Sequence, residues 1–287
     1  MLDTPIIISF MTTALTRLAG SAFELTITMP WADVKKIYDE VFEELAAGIE
    51  VEGFRKGKTP KEIVQSKVDK SKVYGEVINR IVPVSYQKAL EEHGLKPISS
   101  PKVQITSAEE EKDWQIVAHS AEKPSVDLGD YKAQIKTVKI WKPGDEEKTN
   151  EGEADTQKKI SEIIDKLLAN CKVELAAVLV ESEAHRLISQ LVEDVRQAGL
   201  TFEQYLQSSQ QTQEQVHEKY HKQAETALKL EFILEAVADD LDVKVTQEEI
   251  DGVINKEEDK ARQETLKQQS YVIASLLRRD KTISRLL

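Results

Sequence analysis

A short run in the second half of the chain has the spacing of a zinc-hydrolase motif. His217, Glu218 and His221 match H-E-x-x-H, which on a helix places two imidazoles one turn apart for Zn²⁺ and a carboxylate to activate a bound water. Glu235 would be the third ligand. A zinc site needs dry walls and oriented supporting partners, whereas the surrounding sequence QEQVHEKYHKQ is charged or polar on most sides. The pattern therefore favours a solvated helix face, with a zinc hydrolase and weak incidental metal binding as the alternatives.

The other reactive side chains are scattered along the chain, at His93, His119, His185, Cys171 and the acidic runs 239–242 and 257–259. Cys171 has no evident general base and is flanked by apolar residues, which predicts a partly buried thiol rather than a nucleophile. The acidic runs adjoin no identifiable apolar cleft, so we interpret them as solvated faces. No Walker-type G-x-x-x-x-G-K-[ST] occurs. The sequence therefore predicts no catalytic residue, no metal site and no cofactor.

A glycine-flanked basic loop lies between two predicted helices. Residues 51–90 carry nine basic and four acidic side chains, in a chain whose net charge is −12. Within this stretch, residues 53–60 read GFRKGKTP and place an aromatic ring beside cations. Such a loop can insert Phe54 into a shallow pocket while Arg55 and Lys56 meet phosphates or carboxylates. The alternatives are a solvated turn whose ring packs on its own domain, and a general RNA-binding patch.

Length and composition restrict the class of protein. The 287 residues favour two domains, and the 51 acidic and 39 basic residues repel nucleic acid and anionic membranes outside a local patch. No apolar run approaches the roughly 18–20 residues of a bilayer span. Residues 6–10 lack the features of a secretory signal and predict a strand or a disordered leader. The single cysteine excludes an internal disulfide and fits a reducing compartment, so we expect a cytoplasmic protein without DNA or membrane partners.

The first half of the chain alternates strands and helices. Apolar residues at every second position predict strands over 23–29, 103–105, 114–118 and near 131–140. Apolar residues at i, i+3, i+4 and i+7 predict an amphipathic helix over 34–49. A second helix is expected to begin at Ser71 as its N-cap and to be kinked or split at Pro83. This order predicts an α+β domain with an antiparallel sheet over residues 1–142.

The rest of the chain is predicted to be helical. Proline, glycine and charged residues mark 143–155 as a linker or arm root, followed by an elongated all-α domain over 156–287. Threonines with Gln or Glu three residues later have capping-box spacing and predict helix starts at Thr201 and Thr246. A long helix is expected over 212–239.

The basic loop also carries a family resemblance. The motif GFRKGK followed by Pro, preceded by an amphipathic helix and the strand FELTITMP, closely resembles the ribosome-docking signature of the bacterial trigger factor family. The resemblance continues through KVYGEVINRIVPVSYQKALEEHGLKPISSP and VDLGDYK. It resumes at VELAAVLVESEAHRLISQLVEDVRQAGLTFEQYL and EFILEAVADDLDVKVTQEEI, and so covers most of the chain.

This resemblance implies an ATP-independent chaperone. Its first domain would dock on a protein of the large ribosomal subunit and on nearby RNA at the exit tunnel, and its helical region would form a cradle with arms that shelters unfolded nascent chains. By the motif match, docking would use Phe54, Arg55 and Lys56, with Lys58 beside them and with Gly53 and Gly57 shaping the loop. The sequence leaves open whether free molecules form a homodimer to cover their apolar walls.

The chain departs from the family in one large respect. Trigger factors usually carry a prolyl isomerase domain of the FK506-binding type between the docking domain and the rest of the cradle. Here only about 30 residues separate Lys142 from Val173. In addition, residues 174–176 read Glu-Leu-Ala where the family often has Glu-Leu-Pro. We therefore expect the isomerase domain to be absent and assign no catalytic residues, with retained isomerase activity as the alternative.

The apolar stripes of the helical region carry the prediction for client binding. Most of their residues must pack against one another, while a chaperone needs some left exposed among polar side chains so that binding stays weak and unspecific. We expect the segments 178–191 and 227–237 to line or support the cradle. The predicted client-binding residues are Val180, Leu187, Ile188, Leu191, Leu230, Ile233 and Leu234.

Overall fold

The computed structural model describes residues 11–48, 68–138, 149–257 and 259–287, and the chain divides into two compact units, Met1–Lys123 and Pro124–Leu287. The first unit holds an antiparallel sheet with helices, and the second is largely helical, which confirms the predicted fold class. The predicted leader at residues 6–10 lies outside the described residues. Among the helices that are described, none is long and apolar enough to cross a membrane.

The first unit is built on a four-stranded antiparallel sheet. Its strands are β1 (Thr12–Arg17), β2 (Ala22–Met29), β3 (Lys102–Ser107) and β4 (Trp114–Ala121), in the order β1-β2-β4-β3. In β2 every second residue is at most 1% exposed, namely Phe23, Leu25, Ile27 and Met29. Across the strand pair, Leu25 lies opposite Ala118 and Ile27 opposite Ile116. The period-two pattern in the sequence thus places one apolar face of the sheet in the core.

Two long helices cover that apolar face. They are α1 (Trp31–Gly48) and α2 (Lys70–His93). Each contributes a buried stripe at helical spacing, with Val34, Ile37 and Val41 from α1 and Val73, Val77 and Ile81 from α2. Aromatic rings join the two helices to the sheet, because the ring centroids of Tyr38 and Tyr74 are 5.1 Å apart and those of Tyr74 and Trp114 are 5.8 Å apart.

The second helix differs from its prediction at two points. Its N-cap is Asp69, whose side chain accepts a hydrogen bond from the Ser71 amide; Ser71 is already helical. The helix also continues through Pro83, so it is not split there. Both Pro83 and Asn79 are exposed, so water can satisfy the Asn79 carbonyl that loses its amide partner. The helix ends at Gly94, whose φ of 63° is the left-handed conformation that glycine adopts without strain.

The second unit begins earlier than residue 143. β5 (Val126–Asp127) pairs with β6 (Lys172–Val173), and the segment near 131–140, predicted as a strand, instead starts with the short helix α3 (Tyr131–Ile135). That strand prediction is wrong because Tyr131, Ile135 and Val138 also have i, i+4, i+7 spacing. Tyr131 and Val138 are buried in the core of the second unit. Tertiary packing therefore selects the helical period here.

Seven further helices are described in the second unit. They are α4 (Thr149–Asn170), α5 (Ala177–Gln197), α6 (Phe202–Ser209), α7 (Gln213–Asp240), α8 (Gln247–Ile254), α9 (Lys260–Gln268) and α10 (Ser270–Leu286). The capping boxes predicted at Thr201 and Thr246 are both formed, and Thr212 forms a third that the sequence analysis missed. The predicted linker 143–155 is helical from Thr149 onward.

The apolar residues of the second unit are spread over separate small cores. The largest joins α3, α4 and α7 through residues such as Tyr131, Leu167 and Val237. A second lies between α5 and α7 around Val180 and Ala224. A third holds α8 against α10 and includes Ile273. Since each cluster covers only part of a helix, apolar side chains elsewhere on these helices remain at the surface.

Candidate functional site

The residues predicted to dock on the ribosome, Gly53, Phe54, Arg55, Lys56, Gly57 and Lys58, lie outside the described residues. The structure does describe the two helices that flank this loop in the sequence. α1 ends at Gly48 and α2 begins at Lys70. Because α1 and α2 contact each other, the helices that flank this segment in the sequence are held together in the first unit.

An arginine ties these two helices together near the end of α1. The Arg80 guanidinium on α2 donates to both carboxylate oxygens of Glu44 on α1, at 3.1 and 2.6 Å, and its Nε donates to Glu76 at 3.1 Å. The hydrogen bond from Arg80 holds the pKa of Glu44 below its ordinary value, and the same bond raises the pKa of Arg80. The two-pronged bond restricts the relative position of the helices as well as joining their charges.

We expect Arg80→Ala to lower the melting temperature of the first unit by about 2–5 °C at pH 7. Hydrogen bonding lowers the pKa of Glu44, so this contribution is present above the ordinary carboxyl pKa of about 4.3 and is lost as the pH falls through the lowered value. Thermal unfolding followed by circular dichroism at pH 7 and pH 3 measures it. Lys112→Ala is the control. It removes the exposed ion pair with Glu109, three residues away in the sequence, and should have a smaller effect. If Arg80→Ala lowers the melting temperature as much at pH 3 as at pH 7, the stabilisation does not come from the ionised Glu44 carboxylate.

The predicted client-binding residues divide into two groups. Val180, Ile233 and Leu234 are buried, and Leu230 packs against the core of α3, α4 and α7. The other three are half-buried on α5: Leu187, Ile188 and Leu191. Leu187 also packs against the cluster around Val180. The three buried residues thus belong to the helical scaffold, and the four half-buried ones, Leu187, Ile188, Leu191 and Leu230, keep part of their surface in water.

A larger apolar surface lies on α10. A groove of about 650 Å³ separates α10 from α7 and the segment after it, with Leu234, Ala238 and Val245 among the residues that line it. On the α10 side Tyr271 is 84% exposed, Val272 53% and Leu276 46%. No residue of α10 is among the predicted client-binding residues. The sequence does indicate exposed apolar residues in this helix. Six of the seven positions 271–277 are apolar, and a single face of a helix cannot bury that many neighbouring side chains.

The rim of this groove carries both signs of charge. Glu231 and Glu235 lie on the α7 side, and Arg278 and Arg279 lie on α10. Partial burial raises the pKa of Glu231, and the neighbouring carboxylates of Glu183 and Glu235 add to the rise. The groove therefore has apolar walls and a rim that carries both acidic and basic side chains.

The histidines of the H-E-x-x-H run lie at the solvent-facing side of α7. The Glu218 carboxylate accepts a hydrogen bond from Lys222 at 2.7 Å, and both side chains are about 70% exposed. His217 has ring-centroid distances of 6.3 Å to His221 and 6.5 Å to His185. Within the described ranges, no three His, Cys, Asp or Glu side chains are grouped to hold a metal ion. These surroundings are those of a solvated helix face.

The lone thiol lies in the interior of the second unit. Cys171 is buried, and its Sγ lies 3.5 Å from the Leu128 carbonyl oxygen. Burial raises the pKa of this thiol, and the nearby Asp127 carboxylate raises it further. A thiol held in its protonated form is a poor nucleophile, in keeping with the sequence-based interpretation.

Comparison with known proteins gives two family matches that together span residues 11–286. The family described as "Bacterial trigger factor protein (TF)" matches residues 11–163, and "Bacterial trigger factor protein (TF) C-terminus" matches residues 145–286. Trigger factors of Streptococcus pneumoniae strains Hungary19A-6 and D39 are 37% and 36% identical to the chain over 118 residues. That segment is 41% of this chain and 28% of each relative, so the match spans under a third of their length.

A solved structure resembles nearly the whole chain. It comes from a study of "Promiscuous Substrate Recognition in Folding and Assembly Activities of the Trigger Factor Chaperone", and it superposes with a TM-score of 0.65 at 12% identity. The superposition covers 96% of this chain and 98% of the other, so the two share a fold. Since the first family match alone accounts for more than half of the residues, the chain belongs to the trigger factor family.

Proposed function

We propose that this protein is an ATP-independent chaperone that docks at the ribosomal exit tunnel and holds newly synthesised, unfolded chains. Membership of the trigger factor family supports a chaperone role. The observation that carries the holding activity is the open apolar groove along α10, with Tyr271, Val272 and Leu276 exposed beside it. Contiguous apolar surface of this kind is uncommon on a soluble domain unless something binds there.

The groove suits a binder of many different unfolded chains. Apolar contacts are not directional, so they impose little sequence preference, and a rim with both signs of charge tolerates varied neighbours. Half-buried Leu187, Ile188 and Leu191 on α5 would add further weak contacts. Weak contacts matter here, because a holding chaperone must also release its client without a nucleotide cycle.

Docking is assigned to the loop at residues 53–58. The proposed partners are a protein of the large subunit and RNA near the exit tunnel. Support comes from the GFRKGK motif, from the local excess of basic residues over 51–90, and from the Arg80–Glu44 bond that fixes the flanking helices. A homodimer of free molecules, with the apolar grooves covered, is part of the same proposal, as is a cytoplasmic location.

We also propose that the chain acts without a prolyl isomerase domain. The two family matches overlap over residues 145–163, and the described part of this overlap, 149–163, belongs to α4. This leaves no gap between the matches for a domain of about a hundred residues. The expectation of no enzymatic activity rests on the same overlap.

The holding activity is tested by making the α10 surface polar. We expect Tyr271→Ser/Val272→Ser/Leu276→Ser to require at least about tenfold more protein to suppress aggregation of a denatured model client, since each replacement removes exposed apolar area. Light scattering during dilution of the client from denaturant measures this. Each replacement should change stability by no more than about 0.5 kcal/mol, because the three side chains lie at the surface with 46–84% of their area exposed.

A matched control separates this site from general surface hydrophobicity. Leu18 and Ile98 are 48% and 46% exposed in the first unit, far in sequence from α10. Leu18→Ser/Ile98→Ser should leave the suppression of aggregation unchanged. If this control loses as much activity as the α10 variant, or if the α10 variant keeps full activity, the assignment of the groove is wrong.

A further inference from the structure

Basic side chains along one stripe of α10 contact the main chain that follows α7. Arg278, Lys281 and Arg285 recur at i, i+3 and i+7, so they lie along one side of the helix. The chain turns sharply after α7, since Asp242 has a φ of 48°. Carbonyl oxygens at the end of a helix lack partners within the helix and carry partial negative charge, which nearby cations stabilise. α10 therefore supplies donors where the end of α7 leaves acceptors.

Two arginines make the bonds to the end of α7. The Arg278 guanidinium donates through Nε to the Val243 carbonyl oxygen at 3.0 Å and through a terminal nitrogen to the Asp239 carboxylate at 2.5 Å. The Arg285 guanidinium donates to the Leu241 carbonyl oxygen at 2.6 Å. A planar guanidinium that bonds two acceptors at once fixes direction as well as distance. Arg278 thus joins α10 directly to the last turn of α7.

Lys281 joins α10 to the start of α8. Its ammonium group donates to the Lys244 carbonyl oxygen at 2.7 Å and to both carboxylate oxygens of Glu249 at 2.7 and 2.9 Å. The hydrogen bond from Lys281 lowers the pKa of Glu249, and the Thr246 amide, which completes the capping box of α8, lowers it further. The carboxylate therefore stays ionised at neutral pH, and the bond to Lys281 is an ion pair there.

These bonds lie at the apolar groove of about 650 Å³ beside α10. Arg278, Val243 and Lys244 are among the residues that line it. Apolar packing attaches α10 at other points, through Ile273 to α8 and through Ile283 to the core of α3, α4 and α7. Since the polar bonds join α10 to the segment that forms the opposite side of the groove, they determine how far apart the two walls stand.

We propose that Arg278 and Lys281 are positioning residues for client holding, which keep the groove walls at the separation that an extended apolar segment of a client requires. The inference rests on the holding function proposed above and adds which residues set the groove. A groove already in its binding shape loses little freedom when a client enters, so it binds more tightly than a mobile one. With 31–60% of their side chains exposed, the ion pairs of Arg278 and Lys281 add little to folding stability.

The position of α10 is measured without any client. Spin labels on Ala227→Cys in α7 and Asp280→Cys in α10, both at exposed positions, report the distance between the helices by pulsed electron paramagnetic resonance. Cys171 is replaced by alanine in this experiment so that it takes up no label. Arg278→Met keeps the aliphatic stem and removes the hydrogen bonds. We expect it to broaden the distance distribution, because α10 is then free to move relative to α7.

The effect on affinity is measured with the full-length protein and a short unstructured peptide rich in leucine, phenylalanine and serine. The peptide is labelled with fluorescein, and its binding is followed by anisotropy. Arg278→Met and Lys281→Met should each weaken binding about five- to tenfold, which corresponds to the cost of ordering one or two mobile side chains. Lys281→Arg should bind within about twofold of the unmodified protein, since it keeps the charge and the donors.

A stability control separates positioning from general destabilisation. Ala224→Gly, in the buried contact between α5 and α7, lowers stability through the backbone freedom of glycine and should leave peptide affinity unchanged. The inference is overturned if Arg278→Met leaves the distance distribution unchanged, or broadens it without weakening peptide binding. It is also overturned if Ala224→Gly weakens binding as much as Arg278→Met. If the unmodified protein does not bind the peptide, the holding function itself fails, and this inference fails with it.

Discussion

Simultaneous replacement of Phe54, Arg55 and Lys56 by alanine is expected to weaken ribosome binding at least about thirtyfold. Aromatic side chains and arginine are the residue types that most often dominate an interface, and each typically costs about 2 kcal/mol or more on truncation. The two lost cations would also remove charge contacts with RNA phosphates. Co-sedimentation with ribosomes over a salt series measures the loss, with circular dichroism to establish that the fold is intact.

The matched control removes the same charge from the same stretch. Lys61→Ala/Lys67→Ala deletes two cations outside the GFRKGK motif, as the test variant deletes two within it. We expect this control to bind ribosomes within a few-fold of the unmodified protein. If the control loses as much affinity as the triple variant, and both lose binding to naked RNA equally, the stretch acts as a general RNA-binding patch and the docking assignment fails.

The second large effect concerns where the helical unit begins. A fragment of residues 124–287 is expected to unfold cooperatively in urea, whereas a fragment of residues 143–287 is expected to lose about 3–6 kcal/mol of stability or its cooperative transition. The shorter fragment lacks the buried side chains of Tyr131 and Val138, each of which contributes about 1.5–3 kcal/mol when fully buried. It also lacks β5, the pairing partner of β6. Losses of this size are a large part of the 5–15 kcal/mol that stabilises a typical domain.

Circular dichroism at increasing urea concentration measures both fragments. Tyr131→Phe in the longer fragment is the control, because it keeps the ring in the core and removes only the hydrogen bond to Asp240. It should lower stability by about 1 kcal/mol. Equal unfolding midpoints for the two fragments would contradict the assignment of residues 124–138 to the second unit.

Sequence periodicity predicted most of the first unit because the local residue pattern and the tertiary packing favour the same elements there. In β2 the alternation of apolar and polar residues is uninterrupted, and in α1 the apolar residues recur at helical spacing, so that local pattern and tertiary packing select the same element. At Tyr131, Ile135 and Val138 the two periods overlap, and only the core supplied by Ile163 and Leu167 selects the helix. A short apolar segment without neighbours does not contain that information.

The same limit applies to the client-binding residues. Periodicity identified the apolar faces of α5 and α7, but Ile233 and Leu234 are buried, whereas Tyr271 on α10 is exposed. Which face is covered depends on how many other helices pack on it, and that is a property of the assembled unit. The loop at residues 53–58 is the converse case, since its assignment rests on the order of residue types in the motif and requires no knowledge of packing.

Because Cys171 is buried, the rate at which its thiol is labelled reports how often the interior of the second unit opens. This is the sole thiol of the chain, so any disulfide-exchange signal from the protein has one source. A reagent can reach it only when the surrounding packing opens, and the labelling rate is then the intrinsic thiol rate multiplied by the fraction of time spent open. Each 1.4 kcal/mol of opening free energy slows labelling about tenfold. Native-state labelling with and without a client would therefore report whether holding an unfolded chain loosens or tightens the scaffold that holds it.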